Sequence, residues 1–229
     1  CSLSNQKPVT IPEFKHKVNR EGALYMNIGR DGVCDACKYH DLKYKSINWK
    51  AREKELIKLL DKFRKKNGEY DCLVPGSGGK DSAFTAHILK YKYKMNPLTV
   101  TWSPLSYTDI GRYNHNKMIE SGFTNILCTP NGITQRLLAR LSFEELGDAF
   151  HVFVLGQVYF PIHMALKFGI DLIFYGENGE VEYAGDPTFV DQPYRDLLND
   201  EAWLKGYMKG TTIDELIAYG VETKDYMKD

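Results

Sequence analysis

Pro75-Gly76-Ser77-Gly78-Gly79-Lys80-Asp81-Ser82 lies between two apolar runs, Tyr70-Asp71-Cys72-Leu73-Val74 and Ala83-Phe84-Thr85-Ala86-His87-Ile88-Leu89. The first run reads as a short buried strand and the second as a helix. A strand that feeds a glycine turn and then a helix N-terminus presents backbone N–H groups to an anion. Gly78 and Gly79 let the backbone come close and take positive φ. Ser77 and Ser82 add hydroxyl donors, and Asp81 offers hard oxygen ligands for the magnesium that accompanies a polyphosphate.

The spacing is not that of a Walker loop, which needs four residues between its first glycine and Gly-Lys-Ser/Thr. Here the glycines are adjacent and Asp81 follows the lysine. The run resembles the Ser-Gly-Gly-x-Asp-Ser signature of the PP-loop ATP pyrophosphatases. That resemblance implies cleavage of ATP to AMP and pyrophosphate. The other reading is a glycine turn that merely joins strand to helix, and the strand–turn–helix setting favours the phosphate site.

Outward from the loop, strand and helix signals alternate. Strands are expected at 70–75, 97–102, 124–128 and 171–175, and helices at 46–67, 81–94, 109–121, 133–147 and 157–168. This alternation predicts an α/β fold with a doubly wound, mostly parallel sheet. Ligands of such sheets bind beyond the carboxyl ends of the strands. The residues there are Ser77 to Ser82, Trp102-Ser103, Thr129-Pro130 and Gly176-Glu177-Asn178. Further on, Thr212-Ile213-Asp214-Glu215 reads as a capping box opening a final helix. Three parts are expected: a cysteine-rich metal-binding segment (1–47), a connecting helix (48–69) and the PP-loop type domain (70–229).

The first part is irregular and rich in turn formers, with too little apolar content for a core of its own. Cys34-Asp35-Ala36-Cys37 gives it an organising element, since two thiolates at this spacing chelate one tetrahedral zinc. Cys1 is a candidate third ligand, and His40 or a cysteine upstream is the fourth. Two incidental thiols are the other reading. The histidines His87, His115, His151 and His163 stand in helical or apolar settings and read as packing or solvated residues.

Of 229 residues, 43% are hydrophobic, enough for one sizeable core with an appendage. Lys+Arg and Asp+Glu both number 30, so the basic excess of a nucleic-acid binder is missing. No stretch reads as a transmembrane helix or signal peptide. Five cysteines, with a Cys-x-x-Cys beside a nucleotide motif, point to metal in a reducing, cytoplasmic setting rather than to disulfides. Cys1 in place of Met implies that something upstream was removed or left out, and a lipoprotein-type N-terminal cysteine is the minor alternative.

The cysteine cluster, Ser77-Gly78-Gly79-Lys80-Asp81-Ser82 and Tyr175-Gly176-Glu177-Asn178-Gly179-Glu180-Val181-Glu182-Tyr183 stand together in one chain. The whole resembles the N-acetyl sugar amidotransferases of bacterial surface-polysaccharide and glycan biosynthesis. The Gly-Glu-Asn-Gly-x-x-Glu-Tyr segment discriminates most, because many enzymes share the loop. The resemblance implies conversion of an acetamido group on an activated sugar to an acetamidino group, with ATP, Mg²⁺ and Zn²⁺ as cofactors. It implies that Asp81 holds Mg²⁺ and that Ser77, Gly78, Gly79 and Ser82 cradle pyrophosphate. Lys80 offsets charge or faces solvent. Glu177 and Asn178 stand where an acyl acceptor or a second magnesium ligand is wanted, or cap a turn, with Trp102 and Gly176 beside the nucleotide. Asp186 and Arg195 are weaker sugar-contact candidates.

The nearest rival is a PP-loop tRNA thiolation enzyme, which uses further cysteines; after the loop and the Cys72 strand, this chain has Cys128 alone. An ATP-binding regulatory module is the non-enzymatic alternative. An N-terminal cysteine ahead of a PP-loop is also the layout of asparagine synthetases. Cys1-Ser2-Leu3-Ser4 lacks their Gly-Ile, however, and residues 1–69 are too few for their glutaminase sandwich. Nor does any cysteine lie in a Gly-x-Cys-x-Gly elbow. The expected ammonia source is therefore a separate glutaminase subunit. No nucleic-acid or membrane partner is expected, and homo-oligomerisation is left open.

Overall fold

A computed structural model of the chain describes residues 28–176. These fall in two compact units, one comprising 48–139 and 150–176 and the other 28–47 and 140–149.

In the larger unit, β1 (Cys72–Pro75) pairs in parallel with β2 (Pro97–Trp102), and β2 in parallel with β3 (Asn125–Cys128). The register sets Leu73 opposite Leu98 and Val100 opposite Ile126. On the free edge of β1, the Leu73 N–H donates to the Leu172 carbonyl and the Phe174 N–H donates to the Leu73 carbonyl, each at 2.9 Å. The predicted fourth strand is thus reduced to one parallel bridge, Leu73 with Ile173. Spatially the chain runs outward from β1 to β3 and then returns to the opposite side of β1. The crevice beyond β1 is therefore a switch point in strand order, where open α/β sheets take their ligands.

Period-two alternation along β1 divides the core into two clusters. Cys72 and Val74 face Leu60 of α2 (Trp49–Phe63), Ala86 of α3 (Lys80–His87) and Met118 of α4 (Asp109–Glu120). Leu73, with Leu98 and Val100 of β2, faces Phe160 and Ala165 of α5 (His151–Lys167). Helices therefore cover both faces, and a mixed α/β architecture with a parallel sheet is what the alternation predicted. Leu60, Leu73, Val74, Leu98 and Val100 are each below 2% exposed. Burying such a side chain stabilises by about 1.5–3 kcal/mol, so these positions anchor the layers.

Local chemistry sets the ends. The Asn48 side chain accepts from the Ala51 N–H at 3.1 Å and caps α2. α2 stops at Phe63 rather than running to 67, because Arg64 turns extended and its guanidinium binds the Tyr93 and Lys94 carbonyls instead. Buried Asp71 accepts from the Lys65 and Asn96 N–H groups, tying the entry of β1 to the entry of β2. α3 continues through a π turn, Ile88–Lys92. Thr108 caps α4, and Gly122, at φ +105°, ends its last turn as the sequence indicated. The helix expected at 157–168 begins at His151, six residues earlier. Among the described residues, no helix is long and apolar enough to cross a membrane.

In the smaller unit, an irregular segment was expected, but Asp35–Lys45 is a helix, α1. An i,i+4 pair between Asp41 and Lys45 at 2.9 Å and basic residues in its last turn support it without an apolar stripe. A further helix, Gly132–Leu146, has residues in each of the two units; it is close to the expected 133–147 and is opened by Asn131, whose side chain accepts from the Ile133 N–H at 2.9 Å.

Candidate functional site

The loop after β1 is shaped by three close approaches that only glycine permits. A Cβ on Gly76 would lie 2.4 Å from the Ser82 Cβ, so the turn folds back onto the first turn of α3. Gly78, at φ +89°, backs onto α4: a Cβ there would lie 2.6 Å from the His115 N and 2.7 Å from the Asn114 carbonyl carbon. Gly176 lies against the same helix start, 2.8 Å from the Ser82 N by the same measure. Gly79 differs, since a Cβ there would meet nothing within 4 Å. It is extended (φ −64°, ψ 155°) and serves as the N-cap of α3 with no side chain to offer. Helix geometry gives first-turn N–H groups no intrahelical acceptor, and the open side of Gly79 leaves room beside them for an anion.

Asp81 is half-buried in that first turn, and its two carboxylate oxygens are each 2.7 Å from the Lys80 Nζ. The lysine side chain is 87% exposed, and a pair this open to water contributes little. Hard oxygens in this position suit Mg²⁺, which Asp81 could hold while Lys80 swings to phosphate. The Ser82 hydroxyl donates to the Gly79 carbonyl at 3.2 Å, and Ser77 is exposed.

Beneath the loop lies a polar network that sequence reasoning missed. The Thr101 hydroxyl donates to the Gly76 carbonyl at 2.5 Å. The Asn125 amide nitrogen is 2.9 Å from the Thr101 hydroxyl and 3.0 Å from that of Thr99. His115 Nε2 is 3.2 Å from the Asn125 Oδ1. His115, expected as packing or solvated, is buried within this network. Beside Gly78, a cavity of about 410 Å³ opens between α3 and α4, lined by Phe84, His87, Asn114, Lys117 and Met118. Its size is that of small-ligand pockets.

Trp102, at the carboxyl end of β2, packs on α5. Its ring lies 5.6 Å from that of Phe160, and a Cβ on Gly156 would reach within 2.1 Å of its Nε1. Burial pushes the Cys72 thiol, below the loop, up to about 12. At the end of β3, burial also raises the Cys128 thiol, which disfavours the thiolate a sulfur relay needs. Gly176 is thus brought to the loop. Glu177 and Asn178, which follow it in the chain, lie outside the described residues, as do Cys1, Asp186 and Arg195.

In the smaller unit, Cys34 closes a bridge with Ile28 and precedes the first turn of α1, which carries Cys37. A hydrogen bond with Cys34, followed by the charge of that thiol, raises the Cys37 thiol above its ordinary value. Cys34 is buried and Cys37 exposed, and their separation in the chain is that of a two-thiolate chelate. His40 is exposed on the next turn, with its ring 4.6 Å from that of Tyr44. Among the described residues, no three potential ligands gather into one metal group.

No known protein-family profile matches this chain. It is similar to the uncharacterized protein MJ1599 of Methanocaldococcus jannaschii, with 42% identity over 59 residues. That match covers 26% of this chain and spans about a fifth (21%) of the relative's length.

Proposed function

We propose that the chain is an ATP-dependent, AMP-forming amidotransferase of PP-loop type that acts on an activated acetamido sugar in surface-glycan biosynthesis, in the cytoplasm. The observation that carries this reading is the glycine loop at the switch point, with its open face at Gly79 and with Gly176, from the second recognisable segment, against the start of α3.

An amide is a poor electrophile. In the proposed reaction, the amide oxygen attacks the α-phosphorus of ATP, and pyrophosphate departs with the bridging oxygen's electrons while the amide N–H loses its proton. Ammonia then adds to the imidate carbon, and AMP leaves with the former amide oxygen. Catalysis rests on positioning and charge neutralisation at the phosphates. Backbone N–H groups at Gly78 and Gly79 and the start of α3 would take the pyrophosphate, Asp81 the Mg²⁺, and Lys80 part of the developing charge. Glu177 and Asn178 would act at the sugar amide, and a separate glutaminase would supply ammonia. Cys34 and Cys37 supply two thiolates for structural zinc, with Cys1 and His40 as the remaining candidates.

The test is a set of nucleotide-activated acetamido sugars incubated with ATP, Mg²⁺ and ammonium, read by mass for the amidine. Asp81→Asn should cut turnover by about a hundredfold or more, the scale of one electrostatic contact at developing charge. Sugar-independent chemistry, or pyrophosphate released on adding tRNA, would overturn the assignment. Metal analysis of the purified chain should find zinc; iron with a sulfide absorption band would speak for thiolation instead.

A further inference from the structure

The shortest contacts beneath the loop set an order for its hydrogen-bond donors, with the longer approaches of the Thr101 hydroxyl to the Asn125 Oδ1 (3.3 Å) and to the His115 Nε2 (3.4 Å) secondary to it. Thr99 donates its hydroxyl proton to the Thr124 carbonyl at 2.7 Å, so it accepts from Asn125. Thr101 donates to the Gly76 carbonyl, so it too accepts from Asn125. With both amide protons committed, the Asn125 Oδ1 is an acceptor, and His115 Nε2–H supplies the donor. The chain of donors thus runs from α4, through β3 and β2, to the carbonyl of the first loop glycine. Thr99 and Thr101 are each 1% exposed and His115 is 6% exposed. Water does not compete there, and a broken link would leave buried polar groups unpaired.

His115 also touches the loop a second way, because its backbone N is the nearest neighbour of the Cβ position of Gly78. One residue of α4 therefore holds Gly76 through the relay and Gly78 through direct packing. Fixing the Gly76 carbonyl inward fixes the peptide plane that follows it, and with it the Ser77 N–H, which a trans peptide holds opposite that carbonyl.

We propose that Thr101, Asn125 and His115 are positioning residues that pre-organise the loop for a polyphosphate. This rests on the reading of the loop as a phosphate site. None of the three need touch the ligand; they act through Gly76 and Gly78.

The experiment compares Thr101→Val with Thr101→Ser in the full chain, and adds His115→Leu in case the valine variant does not fold. Two readouts are taken: amide hydrogen exchange at 77–82 without ligand, and the affinity for Mg·ATP and for inorganic pyrophosphate. Thr101→Val and His115→Leu should speed exchange in the loop and weaken both ligands about tenfold, the cost of one lost buried hydrogen bond. Thr101→Ser, which loses a methyl but keeps the hydroxyl, should restore both readouts. Equal exchange and affinity in wild type, valine and leucine variants would overturn the proposal, as would a serine variant as impaired as valine. A wild type that binds neither ligand would instead remove the phosphate-site reading, and the exchange comparison would still decide whether the relay orders the loop.

Discussion

Gly78 and Gly79 are adjacent and identical in sequence, yet the structure gives them opposite duties. Gly78 needs a left-handed backbone and has the α4 backbone where a side chain would go; Gly79 is extended with open space beside it. Gly78→Ala should therefore destabilise the fold by at least about 1–3 kcal/mol from backbone conformation alone, with the contact at His115 adding to it. Gly79→Ala should leave the thermal midpoint unchanged and still lose affinity for pyrophosphate, because the methyl occupies the space left to the anion. Calorimetric melting and titration of both variants check this. Reversal of the two stabilities would mean that the loop geometry is misassigned. The run Ser77 to Ser82 was legible because its chemistry is local: glycines, hydroxyls and a carboxylate in consecutive positions. Thr101, His115 and Asn125 were not, since nothing in a threonine on an apolar strand says that its hydroxyl meets a glycine 25 residues earlier.

At the scale of elements, β1 and β2 were located closely because they are continuous apolar runs buried on both faces, and β3 and α4 because turn residues mark their ends. The 171–175 segment has the composition of a strand but pairs only through Leu73, as Gly176 must already turn onto the start of α3. Its apolar residues Leu172, Ile173 and Phe174 still join the two cores, which is why the sequence pattern looked like a full strand. α1 was missed for the opposite reason: its support is charge pairing and dipole rather than an apolar stripe. α5 depends on Gly156, the point where it meets the Trp102 indole, a ring whose Nε1 is buried with no hydrogen-bond acceptor. Gly156→Ala should gain helix propensity yet lose about 1–3 kcal/mol through overpacking against β2. Pairing it with Trp102→Phe, which shortens the ring at the contact, should recover part of that loss. A stabilised single variant in chemical denaturation would show that α5 does not rest on Trp102.

For the molecule as a whole, the thiol of Cys72 couples folding to alkaline pH. It lies in β1 between α2 and α3, and burial first, then the neighbouring Asp71 charge, raise it from 9.0 to about 12. The folded state therefore holds the thiol proton more tightly than the unfolded chain does. That advantage is complete below pH 9, where both states are protonated, so Cys72 imposes no slope there. Above 9 the unfolded thiol ionises while the folded one cannot, and stability falls by about 1.4 kcal/mol per pH unit until the folded thiol itself titrates. The Cys128 thiol and the Tyr159 hydroxyl, both raised by burial, add slopes of the same sign. Cys72→Ala removes one of these and leaves the others, so the difference between variant and wild type isolates it. The variant should be less stable at pH 7, where it has lost a core side chain, and the gap should close as pH rises from 9 toward 11. Denaturation midpoints across that range give the answer, and a gap that stays constant with pH would mean that Cys72 ionises as readily in the folded protein as in the unfolded chain.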